Sequence, residues 1–61
     1  MKKIRQFRKE KGLTQAELAA VSMLSRSSII NFERGYRDPR VKDLQKIAHA
    51  LDVPIEQLLT D

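Results

Sequence analysis

Residues 12–35, which read GLTQAELAAVSMLSRSSIINFERG, contain two helix-start signals of the same kind. Thr14 and Glu17 have the spacing of a capping box, in which the Thr14 hydroxyl accepts the Glu17 backbone N–H and the Glu17 carboxylate accepts that of Thr14. Ser25 is a favourable N-cap further along the chain. Each cap is flanked by the two apolar positions of a hydrophobic staple, which are Leu13 with Leu18 and Leu24 with Ile29. These signals predict two consecutive helices.

The two predicted helices, the first beginning at Gln15 and the second covering about residues 26–34, are joined by a very short turn. Only the tripeptide MLS separates them. A connection of this length is too short for side-by-side antiparallel packing and suits the crossing of roughly 90–120° found in a helix-turn-helix motif. Such a crossing turns one face of the second helix outward.

The second of these helices has an inward and an outward face. Ile29, Phe32 and Glu33 lie at i, i+3 and i+4 and form the inward face. The outward positions are Arg26, Ser27, Ile30, Asn31 and Arg34. Arginine can bond bidentately to guanine, asparagine to adenine, and serine to several base edges. The outward face therefore carries the donors and acceptors that reading of a DNA major groove requires.

A further helix precedes this pair. Residues 2–11 place Ile4, Phe7 and Lys11 on one face at i, i+3 and i+7, which is the spacing of a helix. Gly12 follows where a left-handed glycine ends many helices. The pattern predicts helix one over residues 2–11.

Two more helices are predicted after Pro39. The regular apolar stripe of helix four comprises Val41, Leu44, Ile47, Ala48 and Leu51. A short helix five begins near Pro54 and includes Ile55, Leu58 and Leu59. Because its start lacks a good side-chain cap, we expect helix five either to fray or to be held by packing. The predicted fold class is all-α, a compact five-helix bundle.

Composition excludes several classes of protein. A chain of 61 residues forms one domain, because separate cores arise only beyond roughly 250 residues. The chain has no cysteine and a single histidine, His49, so we expect no disulfide, metal site or cofactor. The sequence also shows no recognisable pairing of a nucleophile with a base, so we do not expect an enzyme. The apolar runs are far shorter than a membrane span, and the start MKKIRQFR lacks the apolar stretch of a signal peptide. We expect a cytoplasmic protein without membrane association.

The net charge of +4 is unevenly distributed. Residues 1–11 carry +5, residues 12–25 carry −1, residues 26–42 carry +3 and residues 43–61 carry −3. A merely soluble surface would mix both signs throughout. The first two-thirds of the chain therefore favour an anionic partner. Four cations of helix one are expected to form a solvated face that attracts DNA at long range, and one or two of them are expected to contact it. These cations are Lys2, Lys3, Arg5 and Lys9.

The helix-start signals and the pattern that follows them resemble the phage-repressor and Cro-like helix-turn-helix family, the Xre-type transcriptional regulators. The residues that carry the resemblance are GLTQAELA at 12–19, Leu24, Ser25, Ile29, ERG at 33–35, Pro39, Leu44, Ile47, Ala48, Leu51, Val53, Leu58 and Leu59. The resemblance implies one DNA-binding domain over residues 1–61, of the lambda-repressor-like type, with the helix-turn-helix motif at about residues 15–34. It also implies sequence-specific binding of double-stranded DNA by a transcriptional regulator, with repression as the favoured role.

The same resemblance implies three sets of site residues. Base-reading positions are Arg26, Ser27 and Asn31. Contacts to the DNA backbone are Gln15, Ser25, Ser28, Arg34, Arg37 and Arg40. The third set is an ion pair, Arg8 with Glu33, that would join helices one and three and orient the recognition helix.

Some residues depart from the family pattern. Met23 stands where the family usually has glycine, so either Met23 takes a strained positive φ or the turn has a different shape. Together with Val21 and Ile30, Met23 could contact a thymine methyl group or pack locally, and we favour local packing. Arg40 replaces the expected serine N-cap of helix four, so either a backbone contact to DNA has displaced capping or Asp38 caps the helix instead.

Two functions from different classes fit these observations. The first is binding of a palindromic operator by a weak homodimer, because one recognition helix covers only a few base pairs. Candidate dimer contacts in the acidic C-terminal part are Ile55, Gln57 and Leu59, with Val53. The alternative is an antitoxin or another protein-interaction module that reads DNA weakly, which exposure of Val21, Met23 and Ile30 would support.

Overall fold

The computed structural model describes residues 1–60, so the last residue of the predicted domain, Asp61, lies outside the described residues. Five helices follow one another: α1 Lys2–Glu10, α2 Gln15–Ser22, α3 Arg26–Arg34, α4 Val41–Leu51 and α5 Ile55–Leu59. No strand occurs among these 60 residues. The all-α prediction is therefore confirmed, and no helix in this range combines the length and apolarity needed to cross a bilayer.

The core collects apolar side chains from every helix. Its buried members are Ile4, Leu18, Ala19, Ile29, Phe32, Leu44, Ile47, Ala48, Leu51 and Leu58. Phe32 of α3 is the largest of the fully buried side chains. Phe7 of α1 packs against this core, whereas Lys11, which follows the end of α1, is exposed, so only the first part of the predicted inner face is buried. The core thus fixes α3 through its inward face.

Helices α1 to α4 all end in a Schellman motif, in which a left-handed residue lets two backbone N–H groups reach back into the last turn. Gly12 and Gly35 supply that residue after α1 and α3, with φ of +72° and +78°. Met23 and Asp52 supply it after α2 and α4, with φ of +58° and +57°. Of the two alternatives for the turn, the strained positive φ at Met23 is therefore the one that the structure has.

The helix starts follow the sequence signals where side-chain caps are present. The Thr14 hydroxyl accepts the Glu17 N–H at 3.0 Å, and the Glu17 carboxylate accepts the Thr14 N–H at 2.9 Å. Ser25 caps α3 by accepting the Ser28 N–H at 3.0 Å. Arg40 begins α4 without any side-chain cap, so the alternative of an Asp38 cap is wrong. The Asp38 carboxylate therefore does not replace the missing serine cap of α4.

Helix α5 is short but formed. It begins after Pro54 without a side-chain cap, as expected. Leu58 is 1% exposed and lies in the core, while Ile55 packs against the core from its edge. Packing, rather than capping, therefore holds α5 in place.

Candidate nucleic-acid interface

The short turn between α2 and α3 is held by its own backbone. The Met23 N–H donates to the Ala20 carbonyl at 3.2 Å, and the Leu24 N–H donates to the Ala19 carbonyl at 2.9 Å. Ser25 then begins α3 at once. The chain therefore turns from α2 into α3 within three residues, and the first two residues of α3, Arg26 and Ser27, lie exposed at the surface.

An ion pair fastens α3 to α1. The Arg8 Nε lies 2.7 Å from the Glu33 Oε2, and the Arg8 Nη2 lies 3.2 Å from Oε1, so the contact is bidentate. Arg8 Nη1 also donates to the Leu13 carbonyl at 2.8 Å. The two side chains are 10% and 3% exposed. This is the ion pair that the resemblance implies, and Leu13 brings the α1–α2 loop into it.

Gln15 joins the same network from the first turn of α2. Its side-chain amide donates to the Glu33 Oε1 at 3.3 Å, and Gln15 is half-buried. The resemblance assigns Gln15 to a contact with the DNA backbone. The structure places its amide on Glu33, so one carboxylate of α3 is held by both preceding helices.

The outer face of α3 presents the three residues assigned to base reading. Arg26 and Ser27 are exposed, and Asn31 is half-buried one turn further along. Among residues 1–60 none of these side chains is held by an intramolecular hydrogen bond. Their donors and acceptors are thus available to a ligand, on a helix whose opposite face is locked in the core.

A second polar network, which the sequence did not predict, covers the start of α3. The Ser25 hydroxyl donates to the Ser28 Oγ at 2.8 Å, and Arg37 Nη2 donates to the same oxygen at 2.8 Å. The Arg37 guanidinium also lies 4.9 Å from the centroid of the Phe32 ring. Hydrogen bonding and cation–π contact together fix this cation beside the recognition helix.

The other basic residues assigned to the DNA backbone remain free at the surface. Arg34 and Arg40 are both exposed, at the end of α3 and at the start of α4. With Arg26 and Arg37 they place four arginines on α3 and in the loop that follows it. Positive charge is therefore concentrated around the outer face of α3, where a polyanion would dock.

The apolar residues near this face do not pack as favoured from the sequence. Val21 is 58% exposed and Met23 is 78% exposed, so the interpretation of local packing is wrong for both. Val21 lies in the last turn of α2, and Met23 is the residue that follows this helix. Ile30 is half-buried.

The candidate dimer residues differ in accessibility. Leu59 is 60% exposed and Gln57 is exposed. Ile55 and Val53 are half-buried and pack against the core. Only Leu59 thus offers a large exposed apolar side chain among these candidates.

A compact helical domain with a short-turn helix pair and an exposed, basic, hydrogen-bonding second helix defines the helix-turn-helix class. The family model described as Helix-turn-helix matches residues 4–58 of the chain. The chain therefore belongs to this family.

Relatives and solved structures agree with that assignment. The uncharacterized HTH-type transcriptional regulator y4dJ of Sinorhizobium fredii is 44% identical over 54 residues, which cover 88% of this chain and 70% of y4dJ. The transcriptional repressor RstR of the cryptic phage CTXphi, from Vibrio cholerae, is 32% identical over 59 residues, covering 97% of this chain and 53% of RstR. The N-terminal DNA-binding domain of SinR from Bacillus subtilis superposes with a TM-score of 0.89 at 36% identity, covering 95% of this chain and 86% of that one. The chain thus spans about half the length of RstR.

Proposed function

We propose that this protein binds double-stranded DNA sequence-specifically and acts in the cytoplasm as a transcriptional regulator, in the first place a repressor, with α3 in the major groove. The observation that carries the proposal is the outer face of α3. Its Arg26, Ser27 and Asn31 are accessible and unengaged within residues 1–60, while the inner face is locked by Phe32 and the Arg8–Glu33 pair. The names of SinR and RstR support the same reading.

The residue roles follow from chemistry and position. Arg26, Ser27 and Asn31 read base edges, since arginine, serine and asparagine all bond to groove-exposed base atoms. Sugar-phosphate contacts come from Gln15, Ser25, Ser28, Arg34, Arg37 and Arg40. Arg37 is already held by Ser28 and Phe32, so little side-chain freedom is lost when it meets a phosphate.

Binding as a homodimer is part of the proposal. One recognition helix covers only a few base pairs, so two half-sites about 34–36 Å apart, or a multiple of that distance, give a palindromic operator. Leu59 and Gln57 are the accessible candidates for self-association, and Ile55 contributes from its half-buried position. A contact built around one exposed leucine makes a weak dimer, which assembles cooperatively on DNA.

Selection of bound duplexes from a random pool tests this function directly. We expect an inverted repeat whose half-sites are about 10 base pairs apart, centre to centre, or a multiple of that spacing. Affinity for the selected site should exceed that for random duplex by at least about a thousandfold, and both should fall steeply with salt. Recovery of no preferred sequence would overturn the proposal and favour a protein-interaction module.

The dimer is tested separately on the selected site. Leu59→Asp should leave half-site binding intact and abolish cooperative occupation of the full site. Val41→Asp is the matched control, because Val41 is also a large exposed apolar residue, 69% exposed, at the start of α4. Equal loss of cooperativity in both variants would remove Leu59 from the dimer contact.

A further inference from the structure

A surface groove of about 750 Å³ runs between α1 and the end of α3. Its lining consists of Lys2, Arg5, Gln6, Lys9, Gln15, Glu33 and Arg34. The groove is open, so it suits an extended ligand that lies along the surface. It adjoins Gln15 and Arg34, the two residues on this side of the molecule that are proposed to contact the DNA backbone.

The groove is strongly positive. Lys2, Arg5, Lys9 and Arg34 line it, whereas Glu33 is its one carboxylate. That carboxylate is neutralised by Arg8, and the Arg8–Glu33 contact is the only ion pair among residues 1–60. The four cations of the groove are therefore not paired with a described carboxylate and remain available to an external anion.

The cations of α1 are regularly spaced. Lys2, Arg5 and Lys9 lie at i, i+3 and i+7, so they share one face of the helix. A helix rises about 1.5 Å per residue, so the row from Lys2 to Lys9 is about 10 Å long. Phosphates also recur regularly along a DNA strand, so a row of cations of this length can contact more than one of them.

We infer that this groove is a second binding strip for the DNA backbone, in which Arg5 and Lys9 contact phosphates directly. This inference rests on the proposed function, because α3 must first bring the duplex to the surface. From the sequence, the α1 cations of this groove are expected, together with Lys3, to form a solvated face that attracts DNA at long range, with one or two unspecified members in contact. The groove gives them a common, directed position beside Gln15 and Arg34.

The test compares two double variants with the same change in net charge. Arg5→Gln with Lys9→Gln removes two cations of the groove. Lys11→Gln with Lys46→Gln removes two exposed cations that line other surfaces, one between α1 and the end of α4 and one between α2 and α4. All four residues are exposed, so all variants should fold, which circular dichroism and thermal melting check.

Affinity is measured for a selected site and for random duplex at several salt concentrations. Each phosphate contact contributes about 0.9 to the slope of log affinity against log salt, so the groove variant should flatten the slope by about two units on both duplexes. Its affinity should fall roughly tenfold or more, while the ratio between the two duplexes stays unchanged. The control variant should change the slope by less than about half a unit.

The outcomes separate this inference from the proposed function. Equal slopes in the two double variants, with normal binding by the unaltered protein, would overturn the groove alone. Failure of the unaltered protein to prefer any site would overturn both. A changed preference for particular base pairs in the groove variant would also contradict backbone contact, because phosphates carry no direct sequence information.

Discussion

Helices α2 and α3 are built alike at their ends and differ in what their outer faces carry. Each begins at a hydroxyl that accepts a backbone N–H at 3.0 Å, from Thr14 or Ser25. Each ends at a left-handed residue, Met23 or Gly35. The exposed side chains of α2 are mainly alanine, valine and one glutamate, whereas α3 exposes arginine and serine. Similar end signals thus build both helices, and the outer face alone suits α3 for recognition.

The two helices also differ in how they are attached. Helix α2 is joined to α3 by the short turn, and it contributes Leu18 and Ala19 to the core. Helix α3 has apolar anchors as well, and in addition a charged anchor, Glu33, that joins it to α1 and to Gln15. A helix that carries the recognition residues is therefore fixed by direction-sensitive polar contacts as well as by packing.

The largest expected effect comes from removing the charged anchor of α3. Arg8→Ala leaves the Glu33 carboxylate, 3% exposed, without its cation, and losing one partner of a buried pair costs about 3–5 kcal/mol. Urea unfolding followed by circular dichroism measures the loss. Arg5→Ala, an exposed arginine on the same helix, should change the unfolding free energy by less than about 0.5 kcal/mol. Similar losses in both variants would mean that the pair does not hold α3.

The next effect concerns binding rather than stability. Asn31→Ala and Arg26→Ala should each reduce discrimination at particular base pairs by about 1–3 kcal/mol, because the bidentate base contact proposed for each residue would be lost. Competition titrations with single-base operator variants measure this. Both variants should unfold within about 0.5 kcal/mol of the unaltered protein, since neither side chain is in the core.

Arg37→Ala provides the contrast for these base-reading variants. It should weaken binding to all sequences alike and flatten the salt slope by about one unit, because the phosphate contact proposed for Arg37 would be lost. A uniform loss in all three variants would contradict the division between base reading and backbone contact.

A smaller effect is expected where α2 and α3 differ at their ends. A left-handed backbone costs a residue with a Cβ about 1–2 kcal/mol, whereas glycine adopts it freely but loses more entropy on folding. Because Met23 is 78% exposed and contributes little burial, Met23→Gly should stabilise the protein by up to about 1 kcal/mol. Thermal and urea unfolding measure the gain.

Gly35→Ala is the reverse substitution in the equivalent motif after α3. A Cβ added at Gly35 meets no atom within 4 Å, so only the backbone strain changes. We expect a loss of about 1 kcal/mol. If both substitutions change stability in the same direction, the left-handed backbone is not the controlling factor.

The helix starts and most of the core were predictable because their signals are local. Thr14, Glu17 and Ser25 lie within three residues of the groups they cap, and apolar spacing identifies the inward face of each helix. The Arg8–Glu33 pair joins residues 25 positions apart, and it was reached only through the resemblance to a family. Local patterns thus define the elements, and tertiary contacts need further information.

Other features were missed for physical reasons. Arg37 reaches Ser28 only because the loop after Gly35 folds back over α3, which residue spacing does not reveal. The left-handed residue after α4 is Asp52, whereas α1 and α3 are followed by a glycine, so the sequence contains no signal for this helix end. Met23 and Val21 are exposed, so the favoured local packing was wrong, and residue type alone does not reveal the exposure of side chains beside a turn.

The smallest expected effect distinguishes the starts of α2 and α3 by pH. The pKa of Glu17 lies below its ordinary value, mainly because the carboxylate accepts the Thr14 backbone N–H and secondly because of its contact with the Thr14 side chain. A carboxyl whose pKa is lower in the folded state stabilises the fold above its unfolded pKa, and this contribution is lost as pH falls through the folded pKa. Glu17→Gln keeps an oxygen acceptor but does not titrate, so the stability difference between this variant and the unaltered protein should shrink as pH falls from 7 to 3.

The start of α3 provides the control, because its cap has Ser28 in place of the glutamate. Ser25→Ala should cost about 1 kcal/mol, and this cost should not shrink in the same way as pH falls. Urea unfolding at each pH compares the two variants, and a common pH dependence would show that the carboxylate at the start of α2 is not its source.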